Sequence, residues 1–286
     1  MLLAKGEVEA VSVVFERKNS YTIADLLEIM KLLRSEGGCP WDQEQTHESI
    51  RRDLIEETYE ACEAIDQQDK AALQEELGDV LHQVVFHSQI EKEQGGFGFD
   101  NVCDGICKKL LERHPHVFAG CQVKDTQEVL TNWDAIKQKS KGQLTQSDAV
   151  KSVPKTFPAL MRAQKVQKRA AKTGFNYPSV HGAMEDLESE LKELRDAIKN
   201  QNQQGCNEEL GDVLFSVVNV ARLLSLDAEQ SLTGAVEKFI RRFEVVEALA
   251  KQREISMESC GVTKLKALWE EAKGLTGPGT IAGPRL

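Results

Sequence analysis

The chain has 286 residues, enough on the usual length prior for two domains that each bury a core. Its 36 basic residues against 46 acidic ones give a formal charge of −10, which argues against a protein built mainly to grip a nucleic-acid backbone. There is no run of ~18 apolar residues to span a membrane, and 41% hydrophobic with 29% charged residues fits a soluble globular protein. The seven cysteines are odd in number and form no CxxC, so free thiols in a reducing compartment are expected. The opening "MLLAKGEVEAVSVVF" carries glutamates where a signal peptide needs an apolar stretch. A cytoplasmic location follows.

In chain order, residues 1–20 read as an N-terminal extension. "YTIADLLEIMKLLRS" then puts Ile23, Leu26, Leu27, Met30 and Leu33 at helical spacing, and "GG" stops it. Trp41 lies in "GGCPWDQEQTH", which reads as a loop. "LIEETYEACEAI" aligns Leu54, Thr58, Cys62 and Ile65 on one stripe. "EELGDVLHQVVFHSQI" aligns Leu77, Val80, Leu81, Val84 and Val85, with the apolar side expected to face the bundle core. "VCDGICKKLLERH" is a fourth helix halted by Pro115. These elements make up a first domain, 21–140. The polar, lysine-rich stretch that follows has two prolines, and 141–158 is assigned as a linker. Helical patterns resume in "ALMRAQKVQKRAAKTGF", "AMEDLESELKELRDAIKN", "CNEELGDVLFSVVNVARLL" and "LTGAVEKFIRRFEVVEALAKQ". These form a second domain, 159–275, with a disordered tail at 276–286. The fold class is all-α.

The heptad "EELGDVL" occurs at 75–81 and again at 208–214. At the same offset Leu54 matches Leu187, Glu57 matches Glu190, Glu60 matches Glu193, Ala64 and Ile65 match Ala197 and Ile198, and Val84 and Val85 match Val217 and Val218. A gap-free match across two helices and their connection indicates one duplicated unit. Each copy carries two carboxylate pairs at i, i+3: Glu57 with Glu60 and Glu76 with Asp79, then Glu190 with Glu193 and Glu209 with Asp212. Acidic helix faces are commonly just solvated. The rival reading is a divalent-cation site on an antiparallel helix pair. Four clustered anions repel unless a cation sits among them, and carboxylate oxygens suit Mg²⁺, with Mn²⁺ as the alternative. Iron is disfavoured: the one Glu-x-x-His, Glu44 with His47, precedes the first copy, and His82 is Phe215 in the second. The mid-helix Gly78 and Gly211 cost stability unless another backbone or a ligand approaches closely.

A site for phosphates also wants cations for their outer oxygens. Lys109 and Arg113 in "KKLLERH", and Lys238 and Arg242 in "EKFIRRF", are i, i+4 pairs downstream of their acidic helices. Trp41, Trp133 and Trp269 are either core residues or stacking platforms for a base.

Together, "EETYE…EELGD", "GGCPWDQEQTHESI", "ERHPHVF", "VPKTFPALMRAQKVQKRAAKTGF" and "EKFIRRF" resemble the MazG nucleotide pyrophosphohydrolases in their two-domain bacterial form, over roughly residues 22–272. The resemblance implies tandem all-α MazG-like domains and a homodimer formed by helix packing. It implies Mg²⁺-dependent hydrolysis of ribo- and deoxynucleoside triphosphates to monophosphate and pyrophosphate, a nucleotide-pool house-cleaning role, with no nucleic-acid polymer or membrane as partner. By motif, the eight paired carboxylates would hold metal. Lys238, Arg242 and Trp269 match nucleotide-contacting positions in the second domain, and Lys109, Arg113, Trp133 and Trp41 are the first-half candidates. Glu56 and Glu57 are the candidates to orient or deprotonate the attacking water. The second copy departs from EExxE at Ser189, so either half is open as the catalytic one. The alternatives are that one domain senses nucleotide or dimerises without catalysis, or that the chain is a metal-free helical scaffold.

Overall fold

The computed structural model describes residues 15–126, 128–129, 132–133, 136 and 145–277. The expected tail at 276–286 and extension at 1–20 fall largely outside the described residues. The chain divides into two compact units, Met1–Lys137 and Gln138–Leu286. The described residues form helices and turns and no strand.

In the first unit, helices α1 (Ile23–Arg34), α2 (Pro40–Glu44), α3 (Arg51–Gln67), α4 (Lys70–Glu93), α5 (Phe99–Arg113) and α6 (Pro115–Phe118) follow in order. Met30, Ile50, Val85, Phe86 and Ile90 are each 1% exposed and pack together, with Leu26, Leu27 and Phe99 against them. Full burial of side chains of this size contributes about 1.5–3 kcal/mol each. Arg34 closes the edge of this core. Its guanidinium lies 5.3 Å over the Phe86 ring and makes a forked ion pair with Glu93 at 2.8 Å.

The second unit contains α7 (Gln146–Lys151), α8 (Ala159–Ala171), α9 (Val180–Lys199), α10 (Gln203–Leu223), α11 (Ala228–Gln252) and α12 (Val262–Leu275). One apolar cluster joins α11 to α12 through Val246, Leu249, Ala250, Leu268 and Ala272. Helix α10 packs on α8 and α9.

The duplication extends to the turn between the acidic helices. Gln68 (φ 58°) and Gln201 (φ 53°) are both left-handed, a conformation usually left to glycine. The Asp69 N–H donates to the Ala64 carbonyl and the Asn202 N–H to the Ala197 carbonyl, each at 3.0 Å. The Gln68 and Gln201 N–H groups donate to the Ile65 and Ile198 carbonyls. Asp69 and Asn202 then cap the following helix through their side chains. This reversal lays α3 back along α4, and α9 back along α10.

Five local expectations need correction. The heptad leucines do not face the core: Leu77 is 55% exposed, Leu210 49% and Leu214 50%, and the buried side of α4 is Gln83, Val85, Phe86, Ser88 and Ile90. Periodicity locates an apolar face but not what covers it. On α3, the buried residues are Ala61 and Ala64, whereas Ile65 is exposed. The segment read as a linker contains α7, held by a Thr145–Asp148 capping box and by Arg169, which donates to the Ala149 carbonyl and the Ser152 hydroxyl. The presumed loop around Trp41 contains α2, started by Pro40, whose fixed φ suits a first helical turn. Finally, a Cβ added at Gly78 or Gly211 would meet nothing within 4 Å, so no other helix among the described residues approaches either glycine.

Candidate metal and nucleotide site

Helix spacing puts Glu57 and Glu60 on one face of α3, and Glu76 and Asp79 on one face of α4. The reversal at Gln68 turns these faces toward each other. Carboxylate oxygens of Glu57, Glu76 and Asp79 lie within 4.8 Å of one another, and Glu60 reaches both Glu57 and Glu76. The second unit repeats this with Glu190, Glu193 and Glu209 inside the same radius and Asp212 beside them. All eight paired carboxylates are thus gathered into two quartets.

Their electrostatics are unbalanced. Partial burial, then repulsion from Asp79, Glu60 and Glu76, pushes the Glu57 carboxyl up from its ordinary value. Glu76 is raised by partial burial, then by Glu60, Asp79 and Glu75. Glu190 is raised by partial burial, Glu193, Asp212, Asp186 and Glu209, and Glu209 by partial burial, Glu193, Asp212 and Glu208. The charged groups that act most strongly on these four are all carboxylates. A cluster of hard oxygen donors with no cationic side chain among them fits a divalent cation of the Mg²⁺ or Mn²⁺ type.

The remaining candidates are placed less tightly. Glu56 points to solvent and pairs with Arg52 at 2.8 Å, outside the quartet. Its counterpart Ser189 donates instead to the quartet member Glu193 at 3.3 Å. Lys109 and Lys238 are exposed. The half-buried Arg113 lies 5.3 Å over the Trp133 ring, and its Nε is buried without a hydrogen-bond partner. Arg242 donates to Thr276 at 3.3 Å. Trp269 is half-buried, with its ring 5.1 Å from that of Phe239, and Trp41 is 57% exposed. Among the described residues, no ion pair links these basic groups to a quartet.

Two features escape sequence reasoning. In the first unit, His47 Nδ1 lies 2.7 Å from His87 Nδ1 and His47 Nε2 lies 3.0 Å from Glu91. Burial, then His47, pulls the His87 pKa down. In the second unit a cavity of about 480 Å³ opens between α8, α9 and α10, lined by Gln167, Tyr177, Asp186, Ser216, Asn219 and Arg222 among others. The one available signal was Asp186, a further acidic residue one turn before Glu190.

Two segments, residues 45–118 and 179–246, match the MazG nucleotide pyrophosphohydrolase domain, and each contains one quartet. A nucleoside triphosphate pyrophosphohydrolase of Escherichia coli K12 is 43% identical over 253 residues, 87% of this chain and 95% of that protein. This chain belongs to the MazG family. A nucleoside triphosphate pyrophosphohydrolase/pyrophosphatase MazG of Thermotoga maritima is 41% identical over 250 residues, with the same coverage. A nucleoside triphosphate pyrophosphohydrolase of Mycobacterium tuberculosis is 33% identical over 254 residues, 87% of this chain and 66% of its own length. The tandem helical arrangement is therefore that of two MazG domains. No helix among the described residues is long and apolar enough to cross a membrane.

Proposed function

We propose that this MazG-family chain hydrolyses nucleoside triphosphates, ribo- and deoxy-, over a broad range of bases, to the monophosphate and pyrophosphate. The carrying observation is the pair of uncompensated carboxylate quartets. Glu57, Glu60, Glu76 and Asp79 would hold Mg²⁺ in one unit, and Glu190, Glu193, Glu209 and Asp212 in the other. The bound ion supplies charge neutralisation for the triphosphate and makes a coordinated water more acidic. Water then attacks the α-phosphorus and pyrophosphate leaves. Glu57, inside the quartet, is better placed than the solvent-facing Glu56, paired with Arg52, to take the proton from that water. Lys109, Arg113, Lys238 and Arg242 are the cations available to the outer phosphate oxygens, and Trp41, Trp133 and Trp269 the aromatic surfaces available to a base.

The active species is proposed to be a cytoplasmic homodimer whose domains comprise residues 21–140 and 159–275. The apolar side chains left exposed on α10 and α11, among them Leu210, Leu214, Phe215, Phe239 and Phe243, support a helix-packed partner of the same kind. A second reading, favoured by the Ser189–Glu193 bond, is that the second domain binds nucleotide without turning it over.

Pyrophosphate release from a triphosphate panel in Mg²⁺ tests both readings. Glu57→Gln and Glu190→Gln, made separately and together, locate the chemistry. Full activity in the double variant would refute the quartets as the site. Loss in Glu190→Gln with retention in Glu57→Gln would exclude a silent second domain.

A further inference from the structure

Helix α3 is tied to α4 at its C-terminal end by the reversal at Gln68. At its other end the tie is made by side chains of the preceding turn. Ile50 enters the first core, and His47 reaches across to α4. His47 Nδ1 lies 2.7 Å from His87 Nδ1, and His47 Nε2 lies 3.0 Å from Glu91 Oε1, with the two rings 10° from parallel. An ionised carboxylate only accepts, so His47 carries a proton on Nε2. A neutral imidazole has one such proton, so His47 Nδ1 is the acceptor and His87 donates its Nδ1–H. His87 Nε2 is then a bare lone pair, buried and without a partner. This assignment keeps both rings neutral and sets a donor against an acceptor at every contact.

The pair has no good place for added protons. The first is kept only by moving the His87 proton to Nε2, where a buried N–H meets no acceptor. The second sets one Nδ1–H against the other. Burial, then His47, holds the His87 pKa below its ordinary value. Glu91 of α4 and Glu48 of the turn face His47. Arg34 of α1 donates to the Asp42 and Gln45 carbonyls and is neutralised by Glu93 of α4. Helix α5 meets this core with the apolar Phe99. The second unit supplies a comparison. At the heptad offset Ile50 matches Ala183, each 1% exposed, while His47, His87 and Glu91 match Val180, Val220 and Leu224. The same helix pair therefore forms with apolar residues at all three places, and the polar trio is not a requirement of the hairpin.

We propose that His47, His87 and Glu91 form a pH-sensitive latch, closed when both rings are neutral and released by acid, that positions the N-terminal part of α3 and its Glu57–Glu60 pair against α4. All three are positioning residues. The consequence for the carboxylates rests on the metal-site reading, and the latch itself does not. Because His87 resists protonation in the folded chain, the stability it contributes is full above the ordinary histidine value and is lost as pH falls through the lowered one.

The test uses the full chain and amide hydrogen exchange, corrected for the intrinsic pH dependence of exchange. Bonding within the helix start begins with the Leu54 N–H, which donates to the Ile50 carbonyl. Lowering the pH from about 7.5 to about 5.5 should cut protection at residues 54–58 about tenfold, the effect of one neutral hydrogen bond. The matching amides of α9 should hold. His47→Val with His87→Val, which copies the second unit, should abolish the response. Glu91→Gln keeps an acceptor for His47 but removes the charge that favours an added proton, so release should move to lower pH. With the second quartet disabled by Glu190→Gln and Asp212→Asn, acid should raise the calorimetric Kd for Mg²⁺ about fivefold more with the histidines than without them. Protection at 54–58 that ignores pH, or that responds equally in the double histidine variant, overturns the proposal. An exchange response with equal Mg²⁺ ratios overturns the positioning of the quartet. An exchange response with no Mg²⁺ binding at either pH sustains the latch and defeats the metal reading alone.

Discussion

The two heptad glycines give a prediction whose sign is diagnostic. Gly78 and Gly211 lie inside long helices, where glycine costs about 1 kcal/mol relative to alanine. At both, a new Cβ meets no atom within 4 Å. If each chain stood alone, Gly211→Ala would stabilise it by up to about 1 kcal/mol, and Tm would rise about 2–4 °C. The neighbours one turn on, Leu214 and Phe215, are 50% and 45% exposed. A second copy packing there would meet the added methyl, and overpacking of a formed contact costs about 1–3 kcal/mol. The dimer dissociation constant of Gly211→Ala should then rise roughly fivefold to 150-fold. Sedimentation equilibrium reads that constant, and thermal denaturation at concentrations below it reads the chain alone. The expected result is a stabilised monomer in a weakened dimer. A stabilised chain with unchanged association would refute the idea that the glycine serves contact between copies.

Replacing either left-handed glutamine, Gln68→Gly or Gln201→Gly, should stabilise its helical hairpin by about 1 kcal/mol or less, read as a higher urea midpoint at constant slope. Without divalent cation, the chain should lose stability as pH rises through the carboxylate range. Glu57, Glu76, Glu190 and Glu209 have folded values above the ordinary 4.5, so the folded state binds more protons than the unfolded one there. Mg²⁺ should restore that loss at pH 7 and add little near pH 4, a difference measurable as Tm against pH with and without the ion. Phe86→Ala should cost about 3–5 kcal/mol, because Phe86 is buried in the first core and also carries the Arg34 guanidinium; chemical denaturation checks this.

What was legible in the sequence was what repeats. The quartets follow from i, i+3 spacing on two helices joined by a short turn, and duplication made that spacing hard to attribute to chance. The leucine stripe of the heptad was legible as apolar and misassigned as core, because a period carries no information about the covering partner. The His47–His87 pair was invisible for a different reason. It joins residues 40 apart, has no counterpart in the second copy, and its meaning depends on which ring nitrogen carries the proton. Helix α7 was hidden in a lysine-rich stretch, since a helix of 6 residues is too short for propensity to declare and relies on Arg169 from α8.

The two copies agree on the wall that faces a cation and diverge behind it. On the α4 and α10 faces, Val85 and Val218 are both fully buried, yet the next residue is Phe86 in one and Asn219 in the other. The first unit fills the space behind its carboxylates with Phe86 and pins the turn before α3 through His47, His87 and Glu91. The second keeps the quartet, leaves a cavity on the matching helices and has apolar residues at all three pinning positions. Phosphate binding alone is shared by substrate, product and transition state, and such uniform binding does not raise kcat. Orientation of the α-phosphorus against a water needs the metal-holding helices fixed against each other as well, because a displacement of about 1 Å is enough to cost a large factor in rate. The divergence at Phe86 and Asn219, and at the histidine pair, therefore bears more directly on the division of labour between the halves than the exchange of Glu56 for Ser189, since Glu56 is turned away to Arg52.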